Sequence, residues 1–329
     1  MFTFETRITK MLGIKYPILM GGLQWLTKAE MVSAIANAGG FGFITAVSFP
    51  TGEELREEIK KTRDMTDKPF GVNISMLPVI MPNDMTEVYV DVVCEEGIPA
   101  VETAGRNPEP YLPKLKAANV KVIHKVPAVK YAQKAESVGV DAVTIVGYEC
   151  GGHPGLDEVT TLVKLPKAVE TLSIPVVAGG GFCDGKSLVA ALSLGAEAVL
   201  MGTRFMMSKE CPVHENFKKW LVQLQETDTI VVEKSIRNPA RIIRNEAAMT
   251  VARMEEEGAT LEELLPIISG KVGKEAYLSG DINKGCIACG QVVGRINEVK
   301  SISEIVNDIM SEAEQVLIRL NNLSSINKT

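Results

Sequence analysis

The stretch IPVVAGGGFCDGKSLVAALSLGAEAVLMGTRF, residues 174–205, contains two short apolar runs on either side of a helix-like segment. The runs IPVVAGG and AEAVLMG are rich in aliphatic residues and bounded by glycine, as expected of strands that are buried on both faces of a parallel sheet. The segment between them ends at Gly195, where a helix C-cap is favoured. This stretch therefore predicts one β–α–β unit.

The same alternation begins near the N-terminus and repeats up to residue 205. One of the helix-like segments, KAEMVSAIANAGG, ends at the pair Gly39-Gly40. Eight such units close most economically into a (β/α)8 TIM barrel, although an open doubly wound sheet would give a similar alternation. The number of strands favours the barrel. The eight runs are PILMGG from Pro17, FGFITA from Phe41, PFGVNIS from Pro69, IPAVET from Ile98, VKVIHKV from Val120, DAVTIVG from Asp141, IPVVAGG from Ile174 and AEAVLMG from Ala196.

After Phe205 the apolar runs give way to helical-looking segments, among them HENFKKWLVQLQET, EAAMTVARMEEEG and TLEELLPIISG. None of these shows the alternation that a strand requires. We therefore predict a helical cap, residues 207–285, inserted after strand eight as a substrate domain. Residues 1–206 and 286–329 would form the barrel, with SISEIVNDIMSEAEQVLIRL as its last helix.

Composition narrows the class of protein. The chain has 329 residues, 46% of them hydrophobic, and a net charge of -6, with basic residues interleaved among acidic ones, so we expect no nucleic-acid partner. No apolar run reaches the roughly 18 residues of a membrane span, and the first residues do not resemble a signal peptide. Six scattered cysteines favour a reducing compartment. We expect a cytoplasmic protein that acts on a small molecule, and the sequence leaves open whether it forms a homo-oligomer.

Glycines at the ends of strands seven and eight indicate a phosphate site. Gly180 and Gly181 follow strand seven, and Gly202 and Thr203 follow strand eight. Barrel enzymes often bind phosphate with these two loops, because the amides of glycine turns and the start of the next helix, here DGKSLVAAL, can approach the anion. The alternative is that the glycines only form tight turns.

The other strand ends carry polar groups. Gln24, Asn73, Glu102, Lys125 and His153 all lie at or just beyond the ends of strands. Such groups are expected to converge on a ligand, because burying them without partners costs several kcal/mol. An aromatic cofactor with a phosphate tail would use both the glycine loops and these side chains, and Lys125 could supply positive charge beside a reduced ring.

His153 lies in YECGGHPGLDE, residues 148–158, and could be a base, a metal ligand or a loop histidine. A metal site would need two or three further ligands, and the nearby carboxylates are better explained as exposed groups or as caps of a helix that begins near Asp157. We therefore predict no metal. The pair Cys286 and Cys289 is weak evidence for a redox or zinc site, since a second such pair is missing. Cys150 is expected to be a small buried thiol, His124 a core or supporting residue, and His214 a helix cap.

Eight motifs together resemble the FMN-dependent nitronate monooxygenase superfamily, which includes enoyl-acyl-carrier-protein reductase II. The combination of QW, VETAG, IHK and ECGGHPG is most similar to its NADH:quinone reductase branch. The motifs are PILMGGLQW, PFGVNIS, VETAGRNP, VKVIHK, GYECGGHPG, VVAGGGFCDG, GAEAVLMGTRF and GQVVG.

The resemblance implies that the barrel binds FMN and that His153 is catalytic, as a base or as a group that orients or protonates an acceptor. Gly22, Asn73 and Lys125 would contact the ring or its ribityl chain, and the glycine loops would hold the phosphate. The full set of implied FMN contacts is Met20, Gly21, Gly22, Asn73, Lys125, Gly151, Gly180, Gly181, Gly202, Thr203 and Gln291.

The resemblance further implies an oxidoreductase that passes electrons from NADH or NADPH to a quinone or a similar small acceptor. No nicotinamide fingerprint such as G-x-G-x-x-G indicates which nucleotide is used. Cys150 and Pro154 depart from the Glu-Ala-Gly-Gly-His pattern of relatives, which leaves the substrate open. The alternatives are oxidation of nitronates with oxygen, reduction of an enoyl thioester, and a flavin-free phosphosugar lyase or isomerase that uses Lys125 covalently.

Overall fold

The structure is a computed structural model that describes residues 2–76 and 84–323. Eight parallel strands form a closed barrel in sequence order, so the fold and all eight predicted strands are confirmed. Closure occurs where Leu19 of the first strand pairs with Phe41 on one side and with Leu200 on the other. The strands are β1 (Ile18–Met20), β2 (Phe41–Thr45), β3 (Gly71–Met76), β4 (Ala100–Gly105), β5 (Lys121–Val126), β6 (Ala142–Val146), β7 (Val176–Gly179) and β8 (Ala198–Met201).

Helices follow the strands and cover the outside of the barrel. The predicted last helix is confirmed, since α14 packs against α8 and α2. No helix of the described residues is long and apolar enough to cross a membrane. The helices are α1 (Arg7–Leu12), α2 (Ala29–Asn37), α3 (Gly52–Met65), α4 (Thr86–Glu95), α5 (Leu112–Ala117), α6 (Val129–Val138), α7 (Thr161–Thr171), α8 (Gly185–Ser193), α9 (Thr203–Met206), α10 (Glu215–Leu221), α11 (Glu246–Glu256), α12 (Leu261–Ile268), α13 (Gly270–Ser279) and α14 (Ile302–Leu323).

The barrel has two hydrophobic cores because side chains alternate along each strand. Leu19, Phe41 and Phe43 pack inside the barrel, together with residues of α1, so α1 covers the end where the strands begin. Residues at alternate positions, such as Ile18 and Ile44, face the outer helices. The interior is apolar at the beginning of the strands and becomes polar towards their carboxyl ends, which places any polar ligand there.

The region 207–285 contains two strands as well as helices, so the expectation of a purely helical cap is wrong. Strands β9 (Thr229–Val232) and β10 (Ala240–Ile243) pair antiparallel. Each has only four residues, too few to show the alternation by which a half-buried strand is recognised. The β-branched run TIVV was the available signal. Val232, Ile242 and Val251 help to form a separate small core here.

The cap contacts the barrel close to the carboxyl ends of the strands. Trp25, in the loop after β1, donates a hydrogen bond from Nε1 to the Gly270 oxygen at 2.8 Å. Ile242 of β10 forms an antiparallel bridge with Ala288, in the segment that leads back to the barrel. These contacts join the cap to the rim of the barrel where ligands of this fold bind.

Replacing Gly185 by alanine should lower the free energy of unfolding by about 1–3 kcal/mol, the usual cost of overpacking. A Cβ there would lie 2.4 Å from the Ile309 oxygen and the Ala313 nitrogen of α14. Gly273 in α13 is the matched control, because no neighbouring atom of the described residues lies within 4 Å of its Cβ position. Alanine at Gly273 should stabilise by roughly 0.5–1 kcal/mol. Urea denaturation measures both, and equal effects would contradict the close packing of α14.

Candidate active site

Three neighbouring strands bring a polar network into the mouth of the barrel. The register pairs Asn73 with Glu102 and places Lys125 on the adjacent strand. Glu102 is fully buried, and its Oε2 accepts hydrogen bonds from Asn73 Nδ2 at 2.6 Å and from Lys125 Nζ at 3.0 Å. Lys125 remains partly exposed. Two of the predicted ligand-binding side chains are therefore adjacent and share one carboxylate, whose role the sequence did not reveal.

The end of β1 lies directly against this network. A Cβ on Gly22 would lie 2.4 Å from the Asn73 side chain, so only glycine allows this approach. Gly21 lies against Leu200, and a Cβ on Gly21 would be 3.3 Å from the Leu200 side chain. The Met20 side chain instead packs in the outer core on the α2 side. Met20 can therefore offer only its main chain to a ligand in the mouth, which corrects any expectation of a side-chain contact.

The glycine loops after β7 and β8 have the geometry of an anion cradle. Gly180 and Gly181 have φ values of 90° and 84°, in the left-handed region that glycine adopts without strain. Gly202 immediately precedes α9, which begins at Thr203. Among the described residues, neither the Gly181 nor the Thr203 main-chain N–H has a hydrogen-bond acceptor. Two unpaired donors thus lie in the two loops where the sequence predicted a phosphate.

The N-terminus of α8 does not help to bind a phosphate, although the sequence suggested that it would. Its Gly185 N–H donates to Glu312 Oε2 at 2.8 Å, and its Ser187 N–H donates to the Asp184 side chain at 2.8 Å. Carboxylates of the protein therefore already neutralise this helix terminus. The expectation that α8 contributes to an anion site is wrong, and the loop amides remain as the donors.

The segment around Gly290 joins three parts of the site. The Gln291 N–H donates to the main-chain oxygen of Glu149 at 3.0 Å. The Gly290 N–H donates to Thr203 Oγ1 at 3.0 Å. A Cβ on Gly151 would lie 2.7 Å from the Gly290 nitrogen. Gly151, Thr203 and Gln291 are therefore brought together, and their contact with FMN stays a prediction. Gly290 was missed, because only the fold reveals its contacts.

Glu149 is a helix-capping residue, one of the two roles that the sequence predicted for it. Both of its carboxylate oxygens accept from the Thr161 N–H, at 3.0 and 3.1 Å, so Glu149 caps α7. The helix begins at Thr161 and not near Asp157. Asp157 instead accepts a hydrogen bond from Lys164 at 2.9 Å.

Arg241 of the cap holds the loop that carries His153. Its main chain exchanges two hydrogen bonds with Gly152, at 3.0 and 2.6 Å. Its Nε donates to the main-chain oxygen of Tyr148 at 3.1 Å, and its guanidinium lies 4.8 Å from the Tyr148 ring centroid. The side chain of His153 is exposed to solvent, although the protein around the ring reduces its solvation. The sequence gave no signal for Arg241, which is 89 residues from Gly152 along the chain (241 minus 152).

The three histidines differ in environment. Burial, and secondly the charge of Lys125, hold the pKa of His153 below its ordinary value. His153 is therefore a neutral imidazole near pH 7, able to accept a proton at one nitrogen and donate a hydrogen bond from the other. His124 is buried against Thr103 Oγ1 at 2.8 Å, and burial lowers its pKa to about 4. His214 caps α10, with Nδ1 accepting from the Asn216 N–H at 3.1 Å. The structure confirms the supporting roles expected of His124 and His214.

The cysteines are free thiols, and burial keeps the ones near the site protonated. The pKa of Cys150 is raised to about 12, and those of Cys286 and Cys289 are raised to about 12 as well. Cys150 is a buried thiol, as predicted. The described residues contain no group of three or more His, Cys, Asp or Glu side chains that could hold a metal ion. Burial therefore disfavours the thiolate form of the CIAC thiols, the form that takes part in redox and metal chemistry.

Replacing Lys125 by methionine should raise the pKa of His153, because a nearby positive charge disfavours the imidazolium. An NMR titration of the imidazole resonances measures the change. Lys121→Met is the matched control, since Lys121 lies at the opposite end of β5 and is largely exposed. The control should leave the His153 titration unchanged. A His153 pKa that did not respond to Lys125→Met would contradict the proximity of the two groups.

Comparisons with known proteins agree with this geometry. A family model described as nitronate monooxygenase matches residues 5–312. The chain is 32% identical to a probable nitronate monooxygenase of Staphylococcus saprophyticus, over 96% of this chain and 99% of that protein. It is 30% identical to (3aS,4S,5R,7aS)-5-hydroxy-7a-methyl-1-oxo-octahydro-1H-indene-4-carboxyl-CoA dehydrogenase of Rhodococcus jostii RHA1, over 95% of this chain and 97% of that protein.

Solved structures show the same likeness. FabK from Thermotoga maritima is 37% identical, with a TM-score of 0.91 over 98% of this chain and all of that one (100%). Nitroalkane oxidase from Streptomyces ansochromogenes is 22% identical, with a TM-score of 0.80 over 95% of this chain and 99% of that one, and shows a shared fold. Because the family model and these relatives cover nearly the whole chain, the protein belongs to the nitronate monooxygenase family of FMN-dependent oxidoreductases.

Proposed function

We propose that this protein binds FMN in the mouth of the barrel and passes electrons from NADH or NADPH to a quinone or a similar small acceptor. The observation that carries the FMN site is the set of unpaired polar groups there. The main-chain donors of Gly181 and Thr203 lack acceptors among the described residues, and the buried atoms Glu102 Oε1 and Thr144 Oγ1 likewise lack partners. Buried polar atoms such as those of Glu102 and Thr144 are normally paired, so these two unpaired oxygens indicate a polar ligand.

The residues present fit the two ends of FMN. The loops of Gly180–Gly181 and Gly202–Thr203 would bind the phosphate through their main-chain amides. Gly22, Asn73 and Lys125 would contact the ring and ribityl chain, with Gly21 and the Met20 main chain beside them. Gly151 and Gln291 would close the site from the side of the Gly290 segment. When bound, FMN supplies the exchange of hydride and electrons, which no side chain can provide.

Lys125 contributes charge to the proposed reaction. Its ammonium is held by Glu102 at 3.0 Å and is partly exposed in the mouth, so it can lie beside a ring that becomes anionic on reduction. A fixed positive charge in a partly desolvated site stabilises such an anion more than a charge in bulk water does.

His153 would act on the acceptor. Because its imidazole is neutral and accessible, one ring N–H can donate a hydrogen bond to a carbonyl oxygen, such as that of a quinone. The same N–H can pass its proton to that oxygen as electrons arrive, while the other ring nitrogen takes a replacement proton from solvent, so that the imidazole stays neutral. Arg241 and Gly152 fix the loop, so this contact requires little reordering.

Reduction of an enoyl thioester is a second candidate. It is favoured by the likeness, over nearly the full length of both chains, to FabK, which is an enoyl-acyl-carrier-protein reductase II. The Rhodococcus relative, whose name specifies a carboxyl-CoA compound, also favours a thioester. Oxidation of nitronates with oxygen is favoured by the Staphylococcus relative named as a probable nitronate monooxygenase. A flavin-free lyase or isomerase loses its support, because the chain belongs to a flavin-dependent family.

An anaerobic absorbance titration of the FMN-loaded protein tests the reductase proposal. NADH or NADPH should abolish the band of oxidised flavin, and a quinone should then restore it faster than an enoyl thioester does. Faster reoxidation by the thioester would favour the second candidate. If neither nucleotide bleached the flavin and a nitronate did, the proposed reaction would be wrong.

His153→Ala should leave FMN bound and reduce turnover by about 10²–10⁴-fold, the usual contribution of a general acid or base. Steady-state kinetics with each acceptor, together with the flavin content of the purified variant, measures both effects. His214→Ala is the control, because His214 serves as the N-cap of α10. Unaltered turnover of His153→Ala with every acceptor would exclude the proposed role.

A further inference from the structure

Glu102 is a carboxylate with no accessible surface inside the polar end of the barrel. Its Oε2 accepts from both Asn73 and Lys125, at 2.6 and 3.0 Å. Its Oε1 has no hydrogen-bond partner among the described residues. One oxygen therefore holds two of the proposed FMN contacts, and the other is left without a protein donor.

Such a network is a poor way to stabilise a barrel. A buried ion pair is often no more stable than apolar side chains of similar volume, and an unpaired buried acceptor adds a further cost. Apolar side chains, among them Leu19, Phe43 and Ile123, fill the barrel interior nearer the beginning of the strands. The placement of Glu102 therefore indicates a role in the site and not in folding.

Glu102 also fixes the orientation of Asn73. The amide nitrogen of Asn73 donates to Glu102, which leaves its Oδ1 on the side of Gly22 and Ser75. Ser75 Oγ donates to that oxygen at 3.3 Å. The carboxylate thus determines which atom of the amide faces the end of β1.

We propose that Glu102 is a positioning residue that orients Asn73 and Lys125 for the flavin and reduces the positive potential that Lys125 exerts on it. The proposal rests on the FMN site proposed above. A negative charge beside Lys125 opposes the accumulation of negative charge on the ring during reduction. Glu102 therefore lowers the reduction potential of the bound flavin relative to a site with Lys125 alone.

Glu102→Gln tests the effect on the flavin, because it removes the charge and preserves the shape. The two-electron reduction potential should become more positive by about 30 mV or more, which corresponds to a tenfold change in the ratio of reduced to oxidised flavin. Lys125→Met should shift the potential in the opposite direction. Glu95→Gln, an exposed carboxylate paired with Arg56 on the outer surface, is the matched control and should leave the potential unchanged. An unchanged or lowered potential in Glu102→Gln would overturn the proposal.

A second experiment needs no flavin. In protein freed of FMN, Lys125→Met leaves Glu102 buried without its cation and should lower the melting temperature. Adding Glu102→Gln to that variant should recover part of the loss, since the unpaired charge is then removed. Losses that simply add would show that the two groups are not coupled and would overturn the proposal.

The two experiments separate the failure of this inference from the failure of the proposed function. Protein that binds no FMN would contradict the proposed function, whereas the melting temperatures would still report whether Glu102 and Lys125 are coupled. Coupled melting temperatures with an unchanged potential would instead show that the pair is structural, which would overturn the inference and leave the FMN site intact.

Discussion

The pairing of β1 with β8 is the interaction on which the rest of the structure depends. It closes the sheet, so that the carboxyl ends of eight parallel strands meet around one mouth. Closure turns Asn73, Glu102 and Lys125 inward from adjacent strands, and it brings the end of β1 over Asn73. A buried carboxylate is tolerated in this position because its two donors come from strands whose register is fixed by the barrel.

The barrel alone does not complete the site. The Gly290 segment binds the loops after β6 and β8 through main-chain hydrogen bonds, and Arg241 of the cap pairs with Gly152 beside His153. The proposed proton-transferring residue is therefore attached to the cap, whereas the proposed flavin contacts belong mainly to the barrel. In the proposed function, the acceptor would therefore be bound on the side of the cap and the cofactor by the strands.

The sequence predicted the barrel because its eight strands are local patterns, each a short apolar run bounded by turn residues. The glycines were informative for the same reason, since a left-handed turn at Gly181 or the close approach at Gly22 depends on a single residue type. Strands β9 and β10 were missed because four residues are too few for periodicity to show. The roles of Arg241 and Gly290 depend on contacts between distant parts of the chain, and no local pattern encodes them.

A crystal structure of the protein grown with FMN would show whether the mouth of this barrel binds the cofactor. We expect the phosphate to accept hydrogen bonds from the main-chain N–H groups of Gly181 and Thr203. The ring should lie against Gly22 and Asn73, within reach of Lys125. FMN bound elsewhere on the protein, or a phosphate that left those two donors unpaired, would contradict this expectation.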